Sequence, residues 1–73
     1  MHLELISRKG CHLCEEAASA LLASGHSYEE RDVDADAELL RLYDFRVPVI
    51  LRDGQVLAEG RIDPARLAHQ LAP

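Results

Sequence analysis

The sequence predicts an α/β fold in the order β-α-β-α-β-β-α, with a four-stranded mixed sheet flanked by three helices. Three observations predict it. The apolar spacing switches between short strand-like runs and a helical stripe of period 3.6. The first half runs strand, helix, strand, an order that implies parallel strands joined by a crossover helix. Asp53-Gly54 then marks a tight hairpin, which adds antiparallel strands. The 73 residues show no repeat, linker or low-complexity segment, so residues 1–73 are expected to form a single domain.

His2-Leu3-Glu4-Leu5-Ile6 reads as the first strand, and Gly10 permits a sharp turn after the polar Ser7-Arg8-Lys9. From Cys11 the period changes. Leu13, Ala17 and Leu21 fall at i, i+4 and i+8, with Ala18 and Leu22 beside them, which predicts an amphipathic helix ending at Gly25. Tyr28 to Val33 alternates weakly and predicts a second strand. Asp34 or Asp36 is placed to cap the next helix, whose face carries Leu39, Leu42 and Tyr43. Val47-Pro48-Val49-Ile50-Leu51 is a third strand, and Gln55 to Ala58 returns as the fourth. Asp63-Pro64 opens the last helix with a capping carboxylate and a proline at its first position. Leu67, Ala68 and Leu71 of that helix are expected to cover the sheet.

Apolar residues make up 48% of the chain, enough to build a core and too many for a disordered segment. The formal net charge of −5 repels phosphate backbones, so nucleic acid is not an expected partner. No stretch approaches the roughly 20 apolar residues of a membrane helix. Met1 to Lys9 lacks a positive stretch followed by an apolar run, so a cytoplasmic location is expected.

The chemistry lies in Cys11-His12-Leu13-Cys14. Two cysteines so close together constrain the unfolded chain little, and structural disulfides are rare in reducing compartments. Redox or metal chemistry is the better reading. Disulfide exchange needs a thiolate, and an ordinary cysteine, with a pKa of about 8.5, is mostly protonated. A helix N-terminus presents unpaired N–H groups and a positive dipole end, both of which favour the anion. Cys11 takes that position and is assigned as nucleophile, with Arg8 and Lys9 adding positive field. Cys14, one turn into the helix, is assigned as the resolving thiol. His12 has two readings: an imidazolium that stabilises the thiolate, or a histidine facing solvent. The rival to redox chemistry is a metal site. A structural zinc usually takes two such cysteine pairs. The chain has one, and His2, His26 and His69 lack ligand-like spacing, so no metal ligand is assigned.

With these residues placed, the chain resembles the glutaredoxins of the thioredoxin-like superfamily, especially the small bacterial glutaredoxin-like proteins. The resemblance rests on the first strand, Cys11-His12-Leu13-Cys14, Asp32-Val33-Asp34, Val47-Pro48-Val49 and the turn from Gly60 to Asp63. It implies a thioredoxin-like fold and a cis proline at Pro48 facing the cysteines. A cis bond there would offer the Val47 backbone to an extended substrate, as an added strand does. The alternative is a proline that only begins an edge strand. The resemblance also gives Arg8 to a glutathione carboxylate, and Gly60 and Asp63 to the γ-glutamyl end, although Asp63 is equally a helix cap. Three departures stand out: His-Leu replaces the usual Pro-Tyr between the cysteines, Glu59 replaces the first glycine of a Gly-Gly turn, and no Trp precedes the site. Tyr28, Tyr43 and Phe45 are expected to pack in the core or a groove.

The expected function is a dithiol thiol–disulfide oxidoreductase acting on protein or small-molecule disulfides. It needs no bound cofactor, because the cysteines themselves hold the two electrons. Glutathione as cosubstrate, or a reductase, would restore them. Two other readings remain open: a thioredoxin-fold module serving one dedicated partner or sensing oxidation, and a metal- or cluster-binding protein. Cluster-sharing relatives usually keep a single active-site cysteine, which Cys14 argues against.

Overall fold

Alternation builds the first strand and divides the molecule into layers. In the computed structural model, which describes residues 1–73, β1 spans Leu3–Ser7. Leu3 and Leu5 point to one side and Ile6 to the other, all almost fully buried. A strand buried on both faces belongs at the centre of a sheet, and β1 is central. It pairs in parallel with β2 (Glu29–Asp32) and antiparallel with β3 (Val49–Arg52). β4 (Gln55–Glu59) completes the order β2-β1-β3-β4. The β3–β4 register shifts between Ile50 and Leu51, leaving Leu57 as the extra residue of a bulge.

The helices follow from the same sidedness. α1 (His12–Ala23) and α3 (Pro64–Leu71) cover the face of Leu3 and Leu5. There Ala17, Ala20, Leu21, Ile50, Ile62, Leu67 and Leu71 close the larger core cluster. α2 (Ala37–Tyr43) covers the other face, where Ile6, Val33, Leu39, Val49 and Leu51 form a second cluster. The observed order is the expected β-α-β-α-β-β-α, and the sheet is mixed.

Several local expectations are corrected. The second strand stops at Asp32, because the Asp32 side chain accepts from the Asp34 N–H and turns Val33–Ala35 into one 3-10 turn. Of the two candidate caps of α2, the structure selects Asp36, which accepts from the N–H groups of Glu38 and Leu39. The third strand begins at Val49, since Pro48 has no N–H for the ladder. Leu22 is 69% exposed and Ala68 is exposed, because each stands about 100° around its helix from a buried leucine at the preceding position. Leu42 is 39% exposed: α2 is only two turns long, and Leu39 and Tyr43 take its inner face. Phe45, expected to pack, is 97% exposed just beyond α2.

Turn chemistry matches the sequence where it is local. Asp53 and Gly54 have φ of 51° and 84°, as a two-residue hairpin turn requires. The Asp53 carboxylate also accepts from the His2 N–H at 2.8 Å, tying the hairpin to the start of β1.

Candidate active site

β1 ends at Ser7 and delivers the chain to the N-terminus of α1, where both cysteines lie. Cys11 is the N-cap residue, with extended backbone, and its Sγ accepts from the Cys14 N–H at 3.2 Å. Cys11 is partly exposed, whereas Cys14 is 3% exposed on the inner face of the helix. Cys14, Ala17 and Leu21 share that face, so the resolving position is built into the core stripe. The two sulfurs are joined as a disulfide, with Cα atoms 5.2 Å apart. Position alone distinguishes them: one sulfur lies at a helix end open to solvent, the other beneath it.

Antiparallel pairing brings a second segment to the same end of the sheet. Val49 is paired with Ile6, which sets Pro48 beside the end of β1. The Val47–Pro48 peptide bond is cis, as the resemblance implied. Pro48 is fully buried, and the Val47 side chain packs on the α2 cluster. The Pro48 carbonyl accepts from the Gly60 N–H at 2.8 Å, and Gly60 adopts φ of 72°, a conformation that favours glycine. None of the backbone hydrogen bonds outside the helices and strands uses the N–H or C=O of Val47. Neither group is taken up by a backbone hydrogen bond within the chain.

The other predicted site residues are placed differently from one another. The His12 side chain is 84% exposed, with Nε2 3.1 Å from Glu16 one turn along, so it faces solvent. The Asp63 carboxylate accepts from the Ala65 N–H at 3.1 Å and caps α3. Arg8 donates from Nε and Nη2 to the two oxygens of Asp34, at 2.8 and 3.0 Å. It also donates to the Asp44 carboxylate at 2.6 Å and the Asp44 carbonyl at 3.0 Å. These hydrogen bonds push the guanidinium pKa up and hold the Asp34 carboxyl below its ordinary range. Arg8 thus clamps the β1–α1 loop to the segments on either side of α2.

Sequence reasoning did not single out Ser7, Glu30, Asp44 or Arg46. Ser7 is the one buried polar residue, and its Oγ donates to the Glu30 carboxylate at 2.8 Å. Glu30 is paired with Leu5, so it points to the α1 side of the sheet. There a cleft of about 320 Å³ is lined by both cysteines, Arg8, Lys9, Glu15 and Glu30 among others. Arg46 lies over the Tyr43 ring, 5.1 Å from its centroid, and pairs with Glu59 at 2.6 Å. That pair holds the Glu59 carboxyl below its ordinary range. Two-residue spacing along β1 and β2 is the signal that places Ser7 and Glu30 on the α1 side. Nothing local marks the Asp44–Arg8 and Arg46–Glu59 pairs, whose partners are distant in sequence. No group of three or more His, Cys, Asp or Glu side chains converges as a metal-ligand set.

Residues 2–72 match the model of the glutaredoxin-like domain family (DUF836). No curated protein matches the chain by sequence. Among solved structures, protein XcR50 from X. campestris is 36% identical, with a TM-score of 0.84 over 97% of this chain and 99% of that one. Protein Ne2328 from Nitrosomonas europaea is 30% identical, with a TM-score of 0.76 over 97% and 91%. The thioredoxin-like protein BC3987 is 31% identical, with a TM-score of 0.73 over 94% and 99%. Thioredoxin 1 from Thermosipho africanus, at 14% identity and a TM-score of 0.64 over 97% and 90%, shares the fold. With a cysteine pair at a helix entrance, a cis proline at the same end of the sheet and a matching domain model over nearly its whole length, the chain belongs to the glutaredoxin-like domain family of the thioredoxin-like fold.

Proposed function

We propose that the protein is a thiol–disulfide oxidoreductase, with Cys11 as nucleophile and Cys14 as resolving thiol. The observation that supports this best is the asymmetry of the pair: Cys11 caps α1 and is open to solvent, while Cys14 is buried one turn on. In the reduced protein the Cys11 thiolate, favoured by the helix end, attacks a substrate disulfide. One substrate sulfur leaves as a thiol and the other stays on Cys11. Cys14 then attacks Cys11 Sγ, releases the second substrate thiol and closes the Cys11–Cys14 disulfide. An extended substrate segment pairs with the Val47 backbone groups, which aligns its disulfide with Cys11. An external thiol or a reductase returns two electrons. No helix is long and apolar enough to cross a membrane, and we assign the protein to the cytoplasm, where thiol donors are abundant.

The test is a disulfide-reduction assay driven by dithiothreitol. Cys11→Ser is expected to abolish turnover. Cys14→Ser is expected to stall the cycle and accumulate a mixed disulfide on Cys11, seen as a mass increase. Turnover that survives Cys11→Ser would overturn the reading. A wild-type protein that forms its disulfide without turnover would favour the dedicated-partner module instead.

A further inference from the structure

The charges around the disulfide are unevenly matched. Arg8, beside Cys11 in the cleft, is paired with two aspartates, Asp34 and Asp44, so the three together are negative. Glu15 and Glu30 line the same cleft, and Glu30 is fixed there by Ser7. On the other flank Arg46 is matched by Glu59. Lys9 is the one cation of the cleft without a carboxylate partner. Arg61 and Arg66 are also free of ion pairs, but they line a separate cavity beside α3 with Glu59 and Asp63. The charged side chains lining the cleft, Arg8, Lys9, Glu15 and Glu30, cancel, and Asp34 and Asp44 on Arg8 tip the total; with a Debye length of about 10 Å at 0.1 M salt, a molecule entering the cleft meets this sum. That sum is negative, on a chain already at −5.

We infer that the Cys11–Cys14 disulfide is reduced by neutral or cationic thiols and discriminates against anionic ones, glutathione included. This rests on the oxidoreductase reading and names the donor class for it. The donor thiolate attacks Cys11 Sγ, the Cys11–Cys14 bond breaks, and Cys14 leaves as a thiolate that takes up a proton. A second donor thiolate attacks the donor sulfur of the mixed disulfide. The product is the oxidised donor disulfide, and Cys11 is released reduced. Two electrons pass from two thiols to the protein. Glutathione is a net anion, and in the cleft it enters the field of Glu15 and Glu30. Arg8, the cation nearest in sequence to the cysteines after Lys9, is already held by its own aspartates. Cysteamine brings an ammonium into the same field.

The experiment measures reduction of the protein's own disulfide by cysteamine, 2-mercaptoethanol and glutathione, with acid quench, alkylation and mass readout. Rates are compared per thiolate and corrected for the fall of nucleophilicity with thiol pKa, a Brønsted slope of about 0.4–0.5. Cysteamine is expected to outpace glutathione by roughly tenfold at low ionic strength, within the range of electrostatic steering. The ratio is expected to fall toward one in 1 M salt, where the Debye length is about 3 Å. It is also expected to fall in Glu15→Gln with Glu30→Gln, the glutamine at 30 still accepting from Ser7. Equal per-thiolate rates at low salt, or a ratio that salt does not move, would overturn the inference and leave the oxidoreductase reading standing. Loss of dithiothreitol-driven turnover on substrates would overturn that reading alone, since the donor step is measured without a substrate.

Discussion

At the scale of single residues, the placement of Arg8 shows how one side chain's partners decide its role. Three residues before the nucleophile, a guanidinium suits a ligand carboxylate as well as a protein one. Here its Nε, Nη1 and Nη2 all donate to Asp34 and Asp44. The Asp34 carboxyl is lowered chiefly by the Arg8 hydrogen bonds. A carboxyl lowered in the native state contributes stability above its unfolded pKa of about 4, and the contribution fades as pH falls through the native value. Asp34→Asn is therefore expected to be less stable than wild type at neutral pH. The gap should close on acidification below about pH 4. Urea unfolding of both proteins at stepped pH checks this. A gap independent of pH would mean that Asp34 acts through its turn geometry and not its charge.

At the scale of elements, Asp63 has an observed capping role and an expected ligand role, and substitution can separate them. As N-cap of α3 it accepts from the Ala65 N–H, ahead of Pro64 at the first helical position. Asp63→Ala is expected to cost about 1 kcal/mol, and Asp63→Ser, which still caps, much less. If the carboxylate also meets a ligand, Asp63→Ser keeps its melting temperature and loses turnover. If it is a cap alone, the serine variant keeps both. Elements whose signals are local were legible in the sequence: the Asp53-Gly54 hairpin, the Asp-Pro helix start and the helix stripe, in which Ala17 and Leu21 are core while Leu13 is only half-buried and Cys14 takes the inner position. So was the cysteine pair at a helix entrance. The rest depended on contacts between distant residues. Phe45 looks like packing in a sequence with one phenylalanine, yet it follows the last turn of α2, where no element lies above it. The Arg8–Asp44 and Arg46–Glu59 pairs span 36 and 13 residues, and no periodicity reports them.

At the scale of the whole molecule, the site stands on the most buried strand of a small fold. β1 is central, its two faces serve both core clusters, and its end carries the cysteines. A chain of 73 residues holds roughly 4–11 kcal/mol at typical stability per residue. Leu5, fully buried among Ala17, Leu21 and Ile50, is one of the residues on which that total rests. Leu5→Ala is expected to cost about 2–5 kcal/mol, a large share of the whole, because the sheet cannot close around the lost volume. Leu22→Ala removes the same atoms from a side chain 69% exposed on α1, and a change within about 0.5 kcal/mol is expected. The two variants compare one helix–sheet contact from its buried and its solvent side. Urea midpoints at equal slope check the difference. Because Ser7 and the turn into Cys11 continue from Leu5, the buried variant is also expected to lose disulfide-exchange activity at the temperature where its far-ultraviolet signal melts, and not before. Activity lost well below that melting point would mean that β1 positions the cysteines through a local fit, separable from the stability of the core.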